Sequence, residues 1–185
     1  YSFLQPYRAD SDRSRFQDTG CCCCIHGIHI CPSTGQRLYS DPQCRSFRKT
    51  ADRSALFGLL KPDAVIHCAA WTAVDLAEDE DKKDKVKAIN ADGTENIAKA
   101  CKKYDCKMMY ISTDYVFDGQ GETPWEPDCK DYKPLNVYGA TKLMGEQAVS
   151  SILDKYFIVR IAWVFGVSGK NFIKTMLNVG KTHPQ

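Results

Sequence analysis

Between residues 61 and 182, short apolar runs alternate with longer amphipathic stretches. Each apolar run is bounded by polar or turn-forming residues, which is typical of a buried parallel strand. In the stretches that follow, apolar residues recur at helical spacing. The predicted strands cover residues 64–70, 107–112 and 156–161, and the predicted helices cover residues 81–104, 137–153 and 171–179. This order predicts an α/β fold with a doubly wound parallel sheet and right-handed crossovers.

Candidate chemistry lies where the second predicted strand ends and the next helix begins. Thr113 follows that strand, and its hydroxyl is expected in the crevice at the carboxyl ends of the strands, where open α/β sheets bind ligands. Tyr138 and Lys142 form a Tyr-x-x-x-Lys pair at the helix start, which places both on one helix face. We expect Thr113 to orient a carbonyl or carbinol oxygen and Tyr138 to act as the general acid or base.

The expected role of Lys142 is electrostatic. A free tyrosine titrates near pH ~10, and a cation within a few Å favours the phenolate. We therefore predict that Lys142 lowers the pKa of Tyr138 towards the working range for proton transfer. Tyr-x-x-x-Lys alone arises readily by chance, and a threonine that ends a strand is usually explained by β-propensity. The hydride-transfer hypothesis therefore depends on the ordered combination of strand, Thr113, Gly- and Pro-containing loop, Tyr138 and Lys142.

From about residue 61 to residue 185 the chain resembles the extended short-chain dehydrogenase/reductase group, and most closely the dTDP-4-dehydrorhamnose reductases. The segments that carry the likeness are HCAAWTAVD at 67–75, STDYVFDG at 112–119, PLNVYGATKL at 134–143 and RIAWVFG at 160–166. The second and third segments are specific in combination. The first and fourth move the resemblance from the wide group towards the rhamnose-pathway branch.

The resemblance implies a role for individual residues. Thr113, Tyr138 and Lys142 would form the catalytic group. Tyr138 and Lys142 would also bind the cofactor, NADPH or NADH, with Lys142 holding its nicotinamide ribose. The other implied residues are Ala69, Ala70, Trp71 and Thr72 for the cofactor, and Thr113, Asp114 and Trp163 for the sugar nucleotide. Taken without the family, a tryptophan at a strand end is more often core packing than a ligand contact.

The first 50 residues do not fit a Rossmann-like domain. Such a domain opens with a strand and a Gly-rich turn, whereas Gly20, Gly27 and Gly35 do not form Gly-x-Gly-x-x-Gly. This segment is rich in Cys, Arg and Ser, and its apolar positions show no clear period. We interpret it as a misread frame, a mis-joined exon or a divergent disordered leader. The predicted organisation is therefore an atypical segment at 1–50 and a partial NAD(P)-binding Rossmann-like domain at 51–185.

Six of the ten cysteines lie in that first segment. Four residues there offer zinc-type ligands: Cys24, His26, His29 and Cys31. Their crowding lacks the paired spacing of known zinc sites, so we expect no metal. A disulfide framework is also disfavoured, and Cys68, Cys101 and Cys106 are expected to be ordinary buried thiols.

Composition narrows the possible partners. A net charge of +2, with acidic and basic residues interspersed, gives no reason to expect nucleic acid. No apolar run reaches the length of a membrane span, and Tyr1 does not begin a signal peptide. We therefore expect a cytoplasmic protein with a nucleotide-sugar substrate, and homodimer formation is left open.

Three functions remain open from the sequence. The first is NAD(P)H-dependent reduction of the 4-keto group of a dTDP-deoxysugar. The second is a non-catalytic, truncated relative that acts as a regulatory or interaction module, because the Gly-rich turn and the C-terminal substrate region of the resembling family are not found between residues 1 and 185. The third is an epimerase or dehydratase for another nucleotide sugar, which Tyr115 disfavours because the dehydratases tend to carry an acidic residue there.

Overall fold

A computed structural model describes residues 57, 58, 60–167 and 171–182, together with the strand backbone at 23–25 and 28–31. Five strands form one sheet in the order β1-β2-β3-β4-β5. They are β1 (Cys23–Ile25), β2 (Ile28–Cys31), β3 (Ala64–His67), β4 (Lys107–Thr113) and β5 (Tyr156–Ile161).

The parallel part of the sheet consists of β3, β4 and β5. Ala64 pairs with Lys107 at the start of β3, and Thr113 pairs with Ile161 at the end of β4. Their carboxyl ends therefore lie along one edge. The predicted strands are confirmed, although β3 ends at His67 and β4 includes Thr113. This edge is the place where the candidate residues were expected.

The hairpin formed by β1 and β2 differs from the prediction. The sequence pattern indicated no strand in the first 50 residues, but β2 pairs antiparallel with both β1 and β3. The hairpin extends the sheet beyond its parallel part through backbone hydrogen bonds. Such bonds depend little on the side chains, so the pattern of apolar residues does not reveal them. The side chains of the zinc-type set at 24–31, like most of the atypical segment at 1–50, lie outside the described residues.

The helices lie between and after the parallel strands. Helix α1 (Lys83–Lys87) continues through a π-helical turn (Ala88–Asp92) into α2 (Gly93–Lys103). Helix α3 (Val137–Ile152) connects β4 to β5, and α4 (Phe172–Thr182) follows β5. Two single turns of 3₁₀-helix precede α1 and follow β4, at Asp75–Glu78 and Asp114–Val116. All predicted helices are confirmed, and the π-helical turn was not predicted.

The core lies between the sheet and helices α2 and α3. It includes Val65 on β3, Met108 and Tyr110 on β4, Ile97 on α2 and Val149 on α3, all of them buried. Cys101 and Cys106 are buried here as predicted, whereas Cys68 is exposed, so that expectation was wrong. Cys68 lies one residue beyond the end of β3, where the chain leaves the core for the carboxyl edge.

Helix α4 lies apart from this core. Its apolar residues are exposed, and the exposed apolar surface continues back through Trp163 towards the end of β5. Among the described residues, no helix is long and apolar enough to cross a membrane.

Candidate active site

The candidate site begins at the carboxyl edge of β3 and β4. Thr113 is the last residue of β4, and the chain then turns into the 3₁₀-helix at Asp114–Val116. The Thr113 hydroxyl accepts a hydrogen bond from the Tyr115 N–H (3.2 Å) and donates one to Asp114 Oδ1 (3.1 Å). These bonds fix the buried Thr113 side chain at the edge where parallel strands present ligand sites.

Helix α3 begins close to this edge because its first turn is capped. Asn136 has extended backbone angles, and its side chain accepts a hydrogen bond from the Gly139 N–H (2.7 Å), as an N-cap residue does. Glu78 Oε1 accepts a further bond from the Val137 N–H (2.7 Å), so a carboxylate lies at the positive end of the helix. Tyr138 therefore stands on the first turn of α3.

The close packing of α3 against the segment that follows Thr113 also depends on Gly139. A Cβ atom at this position would collide with the backbone carbonyl of Tyr115. The first turn of α3 can thus approach the chain that follows Thr113, and the Tyr115 and Tyr138 rings meet edge to face with centroids 5.8 Å apart.

The structure brings Thr113 and Tyr138 together. Burial raises the pKa of the Tyr138 phenol, and a side-chain hydrogen bond with Thr113 opposes that rise. The predicted lowering of this pKa by Lys142 is therefore wrong for the structure as described. The physical reason is that the Lys142 ammonium is engaged elsewhere, while the half-buried phenol loses water.

Lys142 lies one helical turn after Tyr138 and is 2% exposed. Its Nζ donates a hydrogen bond to the Ile111 carbonyl of β4 (2.7 Å) and lies 4.0 Å from the centroid of the Tyr110 ring. Burial lowers the pKa of Lys142 to about 8, and the charges of Glu146 and Cys68 oppose this effect. The ammonium is thus still the main form at pH 7, with a much smaller margin than in an exposed lysine.

Asn90, which the sequence analysis did not single out, ties the two sides of the site together. Its Oδ1 accepts a hydrogen bond from the Trp71 N–H (2.8 Å), and its Nδ2 donates one to Thr141 Oγ1 on α3 (3.1 Å). Its carbonyl accepts bonds from the Thr94 and Tyr110 hydroxyls (2.7 and 3.4 Å). Asn90 is fully buried and lies in the π-helical turn, a feature often found at functional sites.

A signal for Asn90 was present in the sequence. It stands four residues after the buried Val86, on the apolar face of the predicted helix, where a polar side chain needs partners. Those partners lie 19 and 51 residues away along the chain, so the pattern alone could not name them.

The residues expected to line the cofactor follow β3. Ala69, Ala70 and Trp71 are partly buried at the carboxyl edge, and Thr72 is exposed. The Trp71 indole N–H donates to the Ala73 carbonyl (2.9 Å), and the Lys85 ammonium lies 5.9 Å from the Trp71 ring. This segment shares the edge with Thr113 and is joined to α3 through Asn90.

The two remaining substrate candidates lie in different surroundings. Asp114 is exposed and adjoins the Thr113 hydroxyl. Trp163 is 74% exposed, so it is not a core residue, and its φ of 54° is in the left-handed region, which is unfavourable for a bulky side chain. In the described part of the chain its ring packs against Phe172 (5.0 Å), and the structure does not join it to Thr113 or Tyr138.

Comparison with known proteins shows which family this chain belongs to. Residues 36–185 match the model of the RmlD substrate binding domain. The chain belongs to this family. The match begins at residue 36, earlier than the residue 61 from which the sequence resemblance was drawn, and it therefore includes part of the segment interpreted as atypical.

The relatives of this chain include the dTDP-4-dehydrorhamnose reductase of Salmonella typhimurium. It is 40% identical over 144 residues, which are 78% of this chain and 47% of the relative. The chain thus spans about half the length of the curated relatives it matches.

Solved structures agree with this result. A Clostridium acetobutylicum dTDP-4-dehydrorhamnose reductase is 45% identical, with a TM-score of 0.66 over 70% of this chain and 45% of the other. The Bacillus anthracis dTDP-4-dehydrorhamnose reductase in complex with NADP is 42% identical, with a TM-score of 0.62 over the same shares. The predicted Rossmann-like α/β fold class is confirmed.

Proposed function

We propose that this chain carries the hydride-transfer site of a dTDP-4-dehydrorhamnose reductase, which reduces the 4-keto group of a dTDP-deoxysugar with NADPH or NADH. One observation supports the proposal most strongly. The Thr113 hydroxyl and the Tyr138 phenol interact at the carboxyl edge of the parallel strands, with Lys142 one turn further along α3. The names of the relatives support the substrate, and the NADP complex of the Bacillus anthracis protein supports the cofactor.

The residues at the edge fit a nicotinamide cofactor. Ala69 and Ala70 place two small, partly buried side chains directly after β3, and Asn90 holds the Trp71 backbone in place. Lys142 and Tyr138 offer an ammonium and a hydroxyl, which are suitable hydrogen-bonding groups for ribose hydroxyls. A bound nicotinamide would supply the hydride.

Each side chain of the site has its own proposed role in the reaction. A tyrosine phenol is protonated at neutral pH, and burial raises the pKa of Tyr138 further, so Tyr138 can donate its proton to the oxygen of the reduced carbonyl. The Thr113 hydroxyl would turn from Asp114 to the carbonyl oxygen and polarise it. Lys142 would hold the ribose and stabilise negative charge that develops on Tyr138. Asp114 and Trp163 are proposed to contact the sugar nucleotide.

A single substitution tests the role of Tyr138. Tyr138→Phe removes the proton donor and keeps the ring, so turnover should fall by at least about 100-fold, the lower range for general acid catalysis. The dissociation constant for NADPH, measured by fluorescence titration, should rise by no more than about ten-fold, which is the net value of one hydrogen bond to the ribose. Tyr156→Phe on β5 is the matched control and should keep full turnover.

Two outcomes would count against this proposal. Retained turnover in Tyr138→Phe would remove Tyr138 as the proton donor. No turnover in the unsubstituted chain, measured beside an active full-length relative, would favour the alternative of a non-catalytic regulatory or interaction module.

The domain organisation, cellular location and assembly are also proposals. We assign residues 51–185 to part of an NAD(P)-binding domain, and we place the protein in the cytoplasm on the basis of its proposed substrates. Homodimer formation can be decided by light scattering on the purified protein.

A further inference from the structure

The buried face of α3 continues beyond the catalytic pair to Glu146. Tyr138, Lys142 and Glu146 are spaced four residues apart and therefore follow one another along the same side of the helix. Glu146 is only 3% exposed. This buried carboxylate has no role in the proposed reaction.

Arg160 on β5 is the partner of Glu146. The Arg160 Nε donates a hydrogen bond to Glu146 Oε1 (3.0 Å), and Nη2 donates one to Oε2 (2.7 Å). Such a bidentate pair is stronger and geometrically more specific than a single hydrogen bond. The Arg160 side chain is 18% exposed and the Glu146 side chain is 3% exposed. Since removing one member of a buried pair leaves an uncompensated charge, the two residues form one electrostatic unit.

Arg160 is itself fixed by the loop that precedes α3. Its Nη2 donates to the Tyr132 hydroxyl (2.9 Å), and its guanidinium lies 5.1 and 5.2 Å from the centroids of the Phe117 and Tyr132 rings. In the sheet, Arg160 pairs with Ser112, next to Thr113. The ion pair therefore connects β5, the loop and α3 directly behind the catalytic residues.

Lys142 is the charged group on which this unit can act. Burial is the largest influence on its pKa and lowers it, while Glu146 is the largest opposing influence. The other groups that face the ammonium are Cys68 after β3 and the Tyr110 ring and Ile111 carbonyl on β4. Glu146 is thus the nearest carboxylate along the helix that can keep Lys142 protonated.

We propose that Glu146 and Arg160 are a positioning pair: Arg160 fixes the Glu146 carboxylate one turn beyond Lys142, and the carboxylate keeps the Lys142 ammonium charged beside the reaction site. The functional consequence rests on the proposed reductase activity. The electrostatic coupling itself belongs to the folded chain and needs neither cofactor nor substrate.

The coupling can be measured by NMR titration of lysine side chains labelled with ¹³C at Cε. The Lys142 signal is assigned by its loss in Lys142→Arg, and its midpoint is followed from pH 6 to pH 11. In Glu146→Gln the carboxylate is replaced by an amide of similar shape, and the cation of Arg160 remains. The Lys142 midpoint should fall by about one pH unit, the size of effect that a nearby charge produces.

Two further variants separate charge from structure. Glu95→Gln on α2 removes a carboxylate that pairs with exposed Lys99, and it should leave the Lys142 midpoint unchanged. Glu146→Gln combined with Arg160→Met removes both charges of the pair. It should give a midpoint between those of the unsubstituted chain and Glu146→Gln, because the repulsion from a lone Arg160 is also gone.

An unchanged Lys142 midpoint in Glu146→Gln would overturn the proposal. If that single variant does not fold, the double variant decides, and a midpoint equal to that of the unsubstituted chain would overturn the proposal equally. A purely structural pair would lower stability in these variants without moving the titration. Failure of the reductase proposal would show in turnover alone, so the two results are distinguishable.

Discussion

Lys142 combines burial with a charge that the proposed reaction needs. Its ammonium is held by a backbone carbonyl and an aromatic face, both of which compensate only part of the lost hydration. The result is a lysine with a pKa of about 8. Modest changes around it can therefore alter its charge near neutral pH.

This lysine should make the stability of the protein depend on pH. Well below pH 8, Lys142 is protonated in both the folded and the unfolded chain. Between pH 8 and about 10.4 the unfolded chain binds more protons than the folded chain, so the free energy of unfolding rises with pH.

Lys142→Met removes this proton equilibrium and provides the test. From pH 7.5 to pH 10, the free energy of unfolding of the unsubstituted chain should rise relative to that of Lys142→Met by about 2 kcal/mol. Urea denaturation at several pH values measures the difference. Parallel pH dependences for the two proteins would show that burial does not lower the pKa of Lys142.

At the scale of the elements, α3 is the part of the fold that the site most depends on. Its start is fixed by Asn136 and Glu78, its middle packs against β4 and the π-helical turn, and its buried face carries Tyr138, Lys142 and Glu146. The close approach to β4 requires Gly145, because a Cβ there would collide with the Tyr110 hydroxyl and lie 2.7 Å from the Asn90 carbonyl.

Gly145→Ala tests that close approach. The added methyl group should force α3 away from β4 and lower the free energy of unfolding by about 1–3 kcal/mol, as overpacking does. Gly180→Ala on α4 is the matched control, since no atom lies within 4 Å of its added Cβ. The control should be neutral or more stable by up to about 1 kcal/mol. Equal thermal unfolding midpoints for Gly145→Ala and the unsubstituted chain would contradict the packing described.

The sequence pattern predicted the elements that combine strong periodicity with clear ends. Strand β5 matched its predicted bounds, and α3 matched to within one residue because Asn136 gives it a defined start. The pattern could not predict the β1–β2 hairpin, whose pairing uses backbone groups, or the π-helical turn around Asn90, which is stabilised by contacts from distant segments.

At the scale of the whole molecule, the topology assembles the candidate site. Because β3, β4 and β5 are parallel, the segment after His67, Thr113 and the start of α3 meet at one edge. The local spacing of Tyr138 and Lys142 was readable from the sequence. Their electrostatics were not, because the pKa of each depends on burial and on partners such as Thr113 that only the fold brings near.

The most direct test of the central claim is isotope transfer. The 185-residue protein would be incubated with dTDP-4-dehydrorhamnose and with NADPH that carries deuterium in place of both hydrogens at C4 of the nicotinamide ring. The mass of the sugar product would be measured by mass spectrometry. Hydride transfer predicts a reduced sugar that is one mass unit heavier than the product formed with unlabelled NADPH. Absence of labelled product, under conditions in which the Salmonella typhimurium reductase forms it, would contradict the claim that this chain carries a working hydride-transfer site.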